Sequence, residues 1–116
     1  MNPRPLTDQE KAILLLMLKS ADETALLAQL PYVIVTRHWV GDLPSVDLSV
    51  NSEAPKADVP DGPMRVQGDV MDEEGEPIGL ILLWVTNGAL SAMEFAWYTD
   101  DPPHEWPETP RVALKS

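Results

Sequence analysis

A chain of 116 residues, 44% of them hydrophobic, has the length and apolar content of one globular domain, which argues against global disorder. Its net charge is −11, and eight Lys and Arg spread among nineteen Asp and Glu leave no basic patch to displace counterions from phosphates, which argues against nucleic acid and anionic membranes as partners. Cysteine is absent, which excludes disulfides, thiolate zinc sites and thiol nucleophiles and fits a cytoplasmic address.

The opening Met1 to Pro5 has one positive charge and no apolar core ending in a small-residue cleavage site, so no signal peptide is expected. A helix begins at Thr7, where Thr7 and Glu10 form a T-x-x-E capping box. Ile13, Leu14, Met17 and Leu18 supply its apolar stripe, which Leu15 and Leu16 broaden, so cover on more than one side is expected. The apolar run 12–18 is too short to span a bilayer. Ser20 and Glu23 suggest a second cap and a second short helix, stopped by Pro31.

Beyond Pro31 the period changes from helical to alternating. Tyr32 to Thr36 is rich in β-branched residues and predicts a strand that can extend to Val40. Gly41 to Pro44 is a turn, and Ser45 to Val50 alternates strictly, with Val46, Leu48 and Val50 inward and Ser45, Asp47 and Ser49 toward water. The segment 51–63, with three prolines, reads as the most mobile internal loop. A third strand is expected near Met64 to Met71, then an acidic hairpin tip at 72–76. The fourth strand, Ile78 to Thr86, is apolar on both faces and reads as central, with Leu82 counted beside Leu48 in the core. Asn87-Gly88 between two apolar runs predicts a type I′ turn into a fifth strand, Leu90 to Tyr98. The four prolines at 102, 103, 107 and 110 forbid a long helix in the tail, which Trp106, Val112 and Leu114 can pin across the sheet.

Helices first and strands afterwards predict an α+β fold: two short N-terminal helices packed on an antiparallel sheet of about five strands. The reading is one domain over 1–116, divided into a helical pair at 7–30, the sheet at 32–98 and a Pro-rich tail at 99–116.

The segments Ala28-Gln29-Leu30-Pro31, Pro44-Ser45-Val46-Asp47-Leu48 and Gly88-Ala89-Leu90-Ser91 followed by Glu94 resemble a group of small uncharacterised bacterial proteins, often actinobacterial. That resemblance implies a fold and no activity. The group often carries a cysteine- and glycine-rich turn before Pro-Ser-Val-Asp-Leu; this chain has His38 to Leu43 there, so no redox or metal role transfers to it.

No glycine-rich phosphate loop and no nucleophile elbow is present. His104-Glu105 opens like a zinc-binding H-E-x-x-H, but the second histidine is missing and Pro107 blocks the helix. Acid–base chemistry would have to come from His38 oriented by Asp47 or Glu94, against the plainer reading of His38 as a strand-end side chain. Glu94, among apolar neighbours, requires a partner if covered, with Arg37 or Arg65 as candidates. His104 with Asp100, Asp101 and Glu105, or the 72–76 tip, are weak cation candidates beside ordinary solvation. Of the four tryptophans, Trp84 or Trp97 is expected in the core, and Trp39 and Trp106 exposed.

These features favour a non-enzymatic acidic protein-binding domain whose partner is a basic protein, with no cofactor and no metal. Its sharpest form is an immunity or inhibitor protein for a basic toxin. The contacts are placed at Asp72, Glu73, Glu74 and Glu76, with Trp106 as an anchor. From Asn51 to Glu76 there are eight acids and only Lys56 and Arg65 as bases. The alternatives are an accessory domain acting as a homodimer, and a small enzyme or metal binder built on His38, Asp47 and Glu94.

Overall fold

The computed structural model describes residues 3–115. The helix α1 (Asp8–Ala21) starts at the capping box the sequence encodes: Thr7 Oγ1 accepts from Glu10 N at 3.1 Å and the Glu10 carboxylate accepts from Thr7 N at 2.9 Å. It runs through Ser20 and ends at Asp22, whose left-handed φ of 56° turns the chain. The expected Ser20 cap is therefore inside the helix, and α2 (Thr24–Ala28) starts after Glu23 with no side-chain cap. Pro31 stands in a single 3₁₀ turn, Leu30–Tyr32, that leads into the sheet.

Among the described residues the sheet is wholly antiparallel and holds eight strands, three more than expected. They are β1 (Arg4–Pro5), β2 (Val33–His38), β3 (Val46–Val50), β4 (Gly62–Pro63), β5 (Gln67–Met71), β6 (Pro77–Thr86), β7 (Ala89–Trp97) and β8 (Val112–Lys115). Their order is β1-β2-β3-β7-β6-β5-β8, with β4 also on β6. The additional strands are short and lack a periodic signal of their own. Arg4 and Pro5 pair with β2, and Val112–Lys115 pairs with β5. Of the expected third strand, Met64 to Met71, only 67–71 is strand (β5), while β4 falls inside the segment 51–63 read as a loop; both lie along β6. The expected type I′ turn is present, with φ of 52° at Asn87 and 77° at Gly88.

One face of the sheet is the core. Val33, Val35, Val46, Leu48, Val70, Ile81, Leu83, Val85, Leu90, Met93 and Phe95 bury against Ile13, Leu14, Met17, Leu18 and Leu26 of the two helices. Leu15, by contrast, is exposed at 39% and Leu16 half-buried, so α1 is covered on one side. Alternation sends Leu80, Leu82, Trp84, Glu94, Ala96 and Asp47 to the opposite face, where no helix lies, and all six are half-buried. Leu82 is thus not in the core; its neighbour Leu83 is. β6 is apolar on both faces because its outer side chains carry an open apolar surface.

The loop 51–63 is tied to the body of the fold at a few points. Ala54 and Ala57 are buried, and Ala57 N donates to Gly88 O. Gln29, fully buried, ties this loop to the β6–β7 turn: its Nε2 donates to Pro55 O (2.7 Å) and Gly88 O (2.8 Å), and its Oε1 accepts from Leu90 N (3.0 Å). A Cβ on Gly88 would sit 2.6 Å from Ala57 O, so the loop can approach this closely only over a glycine. Gln29→Leu keeps the volume but strands Leu90 N in the interior and takes a donor from Pro55 O, on an exposed residue. The expected cost is about 1–3 kcal/mol, that of one orphaned buried group, read as a lower urea midpoint; a change under about half a kcal/mol, the range of neutral surface changes, would show that water replaces these bonds.

Candidate binding groove at the acidic end of the sheet

The turn between β2 and β3 closes with Trp39 N donating to Ser45 O and Leu43 N to Val40 O. β3 then meets β7 only at Val46↔Met93 and Asp47↔Ala92. Beyond that ladder Ser45, buried rather than turned to water, takes over: its Oγ accepts from Phe95 N at 2.9 Å. The edge of β7 from Phe95 to Trp97 therefore faces a turn instead of a strand. Between them lies a groove of about 320 Å³ lined by Trp39, Val40, Leu43, Glu94, Ala96 and Trp97, with Ser45 and Phe95 at its base.

Its rim is apolar and exposed: Trp39 and Trp97 each show 39% of their surface, and Val40 62%. Trp39 is held in place, since its Nε1 donates to Asp47 Oδ1 at 2.8 Å. Among the described residues Glu94 bonds neither Arg37 nor Arg65, the partners that the sequence suggests for it. Its Oε1 accepts from the Trp84 indole at 3.0 Å across β6 and β7.

The topology brings the acidic segments to this same end. The tip 72–76 follows β5 and precedes β6, whose Gly79 pairs with Trp97, and the 99–104 segment leaves from the end of β7. His104 Nδ1 lies 4.0 Å from Asp42 Oδ1, which places that segment against the β2–β3 turn. At the tip, Asp72 Oδ1 accepts from the backbone of Glu74 and Glu76, and Glu73 pairs with Arg111 at 3.2 Å. Asp72 is thus committed to the turn and Glu73 to an ion pair, while Glu74 and Glu76 are exposed.

Trp106 is not the exposed anchor that the sequence suggests. It is 6% exposed, stacked on Phe95 with ring centroids 5.9 Å apart, and its Nε1 donates to Glu10 Oε2 at 3.2 Å. It cannot serve as an exposed anchor. Neither Trp84, half-buried on the outer face, nor Trp97, 39% exposed, is the core residue expected of that pair. Glu10 was legible as a cap but not as the centre of a network. It is 1% exposed and receives Arg4 on both oxygens at 2.9 and 3.0 Å, as well as Thr7 N and Trp106. Burial pushes its carboxyl up, but the bonds from Arg4 and Thr7 outweigh this and hold it below the usual carboxylate range. Glu10 in turn raises Arg4.

The catalytic trio considered from sequence is dispersed into separate bonds. Asp47 holds Arg37 at 2.8 Å and Trp39 at 2.8 Å, and Glu94 holds Trp84. His38 places Nδ1 2.9 Å from Leu43 O and Nε2 3.3 Å from Arg4. Because a guanidinium only donates and a carbonyl only accepts, these contacts fit the tautomer with its hydrogen on Nδ1. Among the described residues, no group of three or more His, Asp or Glu is placed to hold a metal ion, and no helix is long and apolar enough to cross a membrane. Comparison of the chain with protein-family models, curated proteins and solved structures yields no match.

Proposed function

We propose that this chain is a non-enzymatic protein-binding domain whose partner is basic and docks at the acidic end of the sheet. The observation that carries this reading is the exposed group Trp39, Val40 and Trp97, lining a groove that also holds Glu94, with Asp47 bonded to the Trp39 ring. Aromatic side chains at the centre of a patch with a charged rim are the composition of a protein interface. The bases nearest this end are engaged: Arg37 with Asp47 and Arg111 with Glu73, so the surplus charge there is negative. An immunity or inhibitor role toward a basic toxin is the sharpest form of this proposal. Homodimerisation is less favoured, because two copies at −11 repel, and the outer strands β1 and β8 are only two and four residues long.

The test is to isolate the partner from the source cell by affinity capture and measure its kinetics. Neutralising Glu73, Glu74 and Glu76 together should slow association and flatten its salt dependence. Trp39→Ala or Trp97→Ala should instead speed dissociation by about 30-fold or more, the effect of losing a hot spot worth about 2 kcal/mol. A partner indifferent both to salt and to the two tryptophans would defeat this reading.

A further inference from the structure

We propose that the Trp39–Trp97 groove is the seat for one arginine side chain of that partner; this deepens the protein-binding reading and rests on it. The groove's volume of about 320 Å³ is at the small end of ligand sites, which run from about 300 to 1,000 Å³. That suits one long side chain better than a helix or strand. Two indoles line it with Val40 and Leu43, and an indole face attracts a cation. The charged lining residue is Glu94, half-buried. Its Oε1 is fixed by Trp84, and its Oε2 has no hydrogen bond or ion pair among the described residues. A carboxylate anchored by one oxygen and open at the other, set among apolar and aromatic walls, is the complement of a guanidinium.

Neighbouring charge reinforces the choice. Asp47 holds the Trp39 ring, and Asp42 stands on the same turn. Arg37, the nearby cation, is held by Asp47 through Nε at 3.0 Å and Nη2 at 2.8 Å and does not line the groove. Arginine fits better than lysine because its planar, weakly hydrated head stacks on indoles while donating sideways, whereas an ammonium is a compact and strongly hydrated charge.

The experiment titrates N-acetylargininamide into the ¹⁵N-labelled full chain and follows the indole N–H signals. Those of Trp39 and Trp97, assigned with Trp→Phe variants, should shift saturably. The citrulline analogue has the same shape without charge and should bind about tenfold more weakly, as should arginine to Glu94→Gln; tenfold is ~1.4 kcal/mol. Glu94→Gln retains an oxygen for the Trp84 indole, and an unchanged melting temperature verifies that its fold is intact. Equal shifts with citrulline, or no saturable shift at Trp39 and Trp97 at tens of millimolar, would overturn the arginine seat. If partner binding still falls with Trp39→Ala and Trp97→Ala in that case, the docking surface stands and the cation site alone is lost. If arginine saturates the groove but the partner ignores both variants, the site stands and its assignment to that partner is wrong.

Discussion

Glu10→Gln should destabilise the fold by about 2–4 kcal/mol, the range expected when a buried charged acceptor of several hydrogen bonds is neutralised. Arg4 would lose its carboxylate, and the new amide would turn N–H groups toward donors at Arg4 or Trp106. Arg4 is 32% exposed and can regain water, which keeps the loss toward the lower part of that range. The pH dependence has a definite sign. A carboxyl held lower in the folded chain than in the unfolded one contributes stability above its unfolded value of about 4.3. That contribution fades as pH falls through the lowered folded value. Urea titrations should therefore show the gap between wild type and Glu10→Gln at full size near pH 7 and shrinking below about pH 4. A gap that is constant down to pH 2, or absent at pH 7, would remove Glu10 from the centre of this network.

Trp106→Ala should be still more costly, about 3–5 kcal/mol, as for other buried aromatic truncations. Its indole covers Phe95 and closes the ring of donors around Glu10, so its loss opens a cavity and orphans part of a carboxylate. Trp106→Phe keeps a ring against Phe95 and loses the N–H, and should cost about 1–2 kcal/mol. Because Trp106 and Glu10 touch, their effects should not add; a double-mutant cycle should return a coupling of about 0.5–3 kcal/mol. If Trp106→Ala left the urea midpoint unchanged, the tail would not be part of the folded unit. Trp39→Ala and Trp97→Ala, at exposed sites, should leave stability within about 1 kcal/mol, which separates residues of the fold from residues of the groove.

What the sequence by itself determined are the features whose causes lie within a few residues. The Thr7–Glu10 box starts α1 because both partners are one helical turn apart. Asn87-Gly88 makes its turn because both positions require positive φ. The alternation at Val46 to Val50 and the double apolar faces of β6 follow from a period of two. The α+β class with an antiparallel sheet was legible from their order, and so were the acidic tip at 72–76 and the excess of negative charge.

The tertiary structure alone decided which of several equivalent residues met. Local sequence points the wrong way for Trp97 and Trp106: the first stands between Ala96 and Tyr98 in a strand, the second between Glu105 and Pro107 in the tail, yet Trp106 is buried because the tail folds back to Glu10, 96 positions away. Arg4–Pro5 and Val112–Lys115 became strands only because β2 and β5 offered them free edges. Gln29 ties the loop 51–63 to the β6–β7 turn through bonds to Pro55 O and to Leu90 N, the latter across 61 positions. The groove exists because β3 leaves β7 after two pairs, so an exposed strand edge faces a turn carrying Trp39. Helix caps and hairpin turns are short-range energies and can be read from neighbouring letters. Burial and site geometry arise when segments far apart in the chain compete for the same faces, and that competition is settled only in the folded molecule.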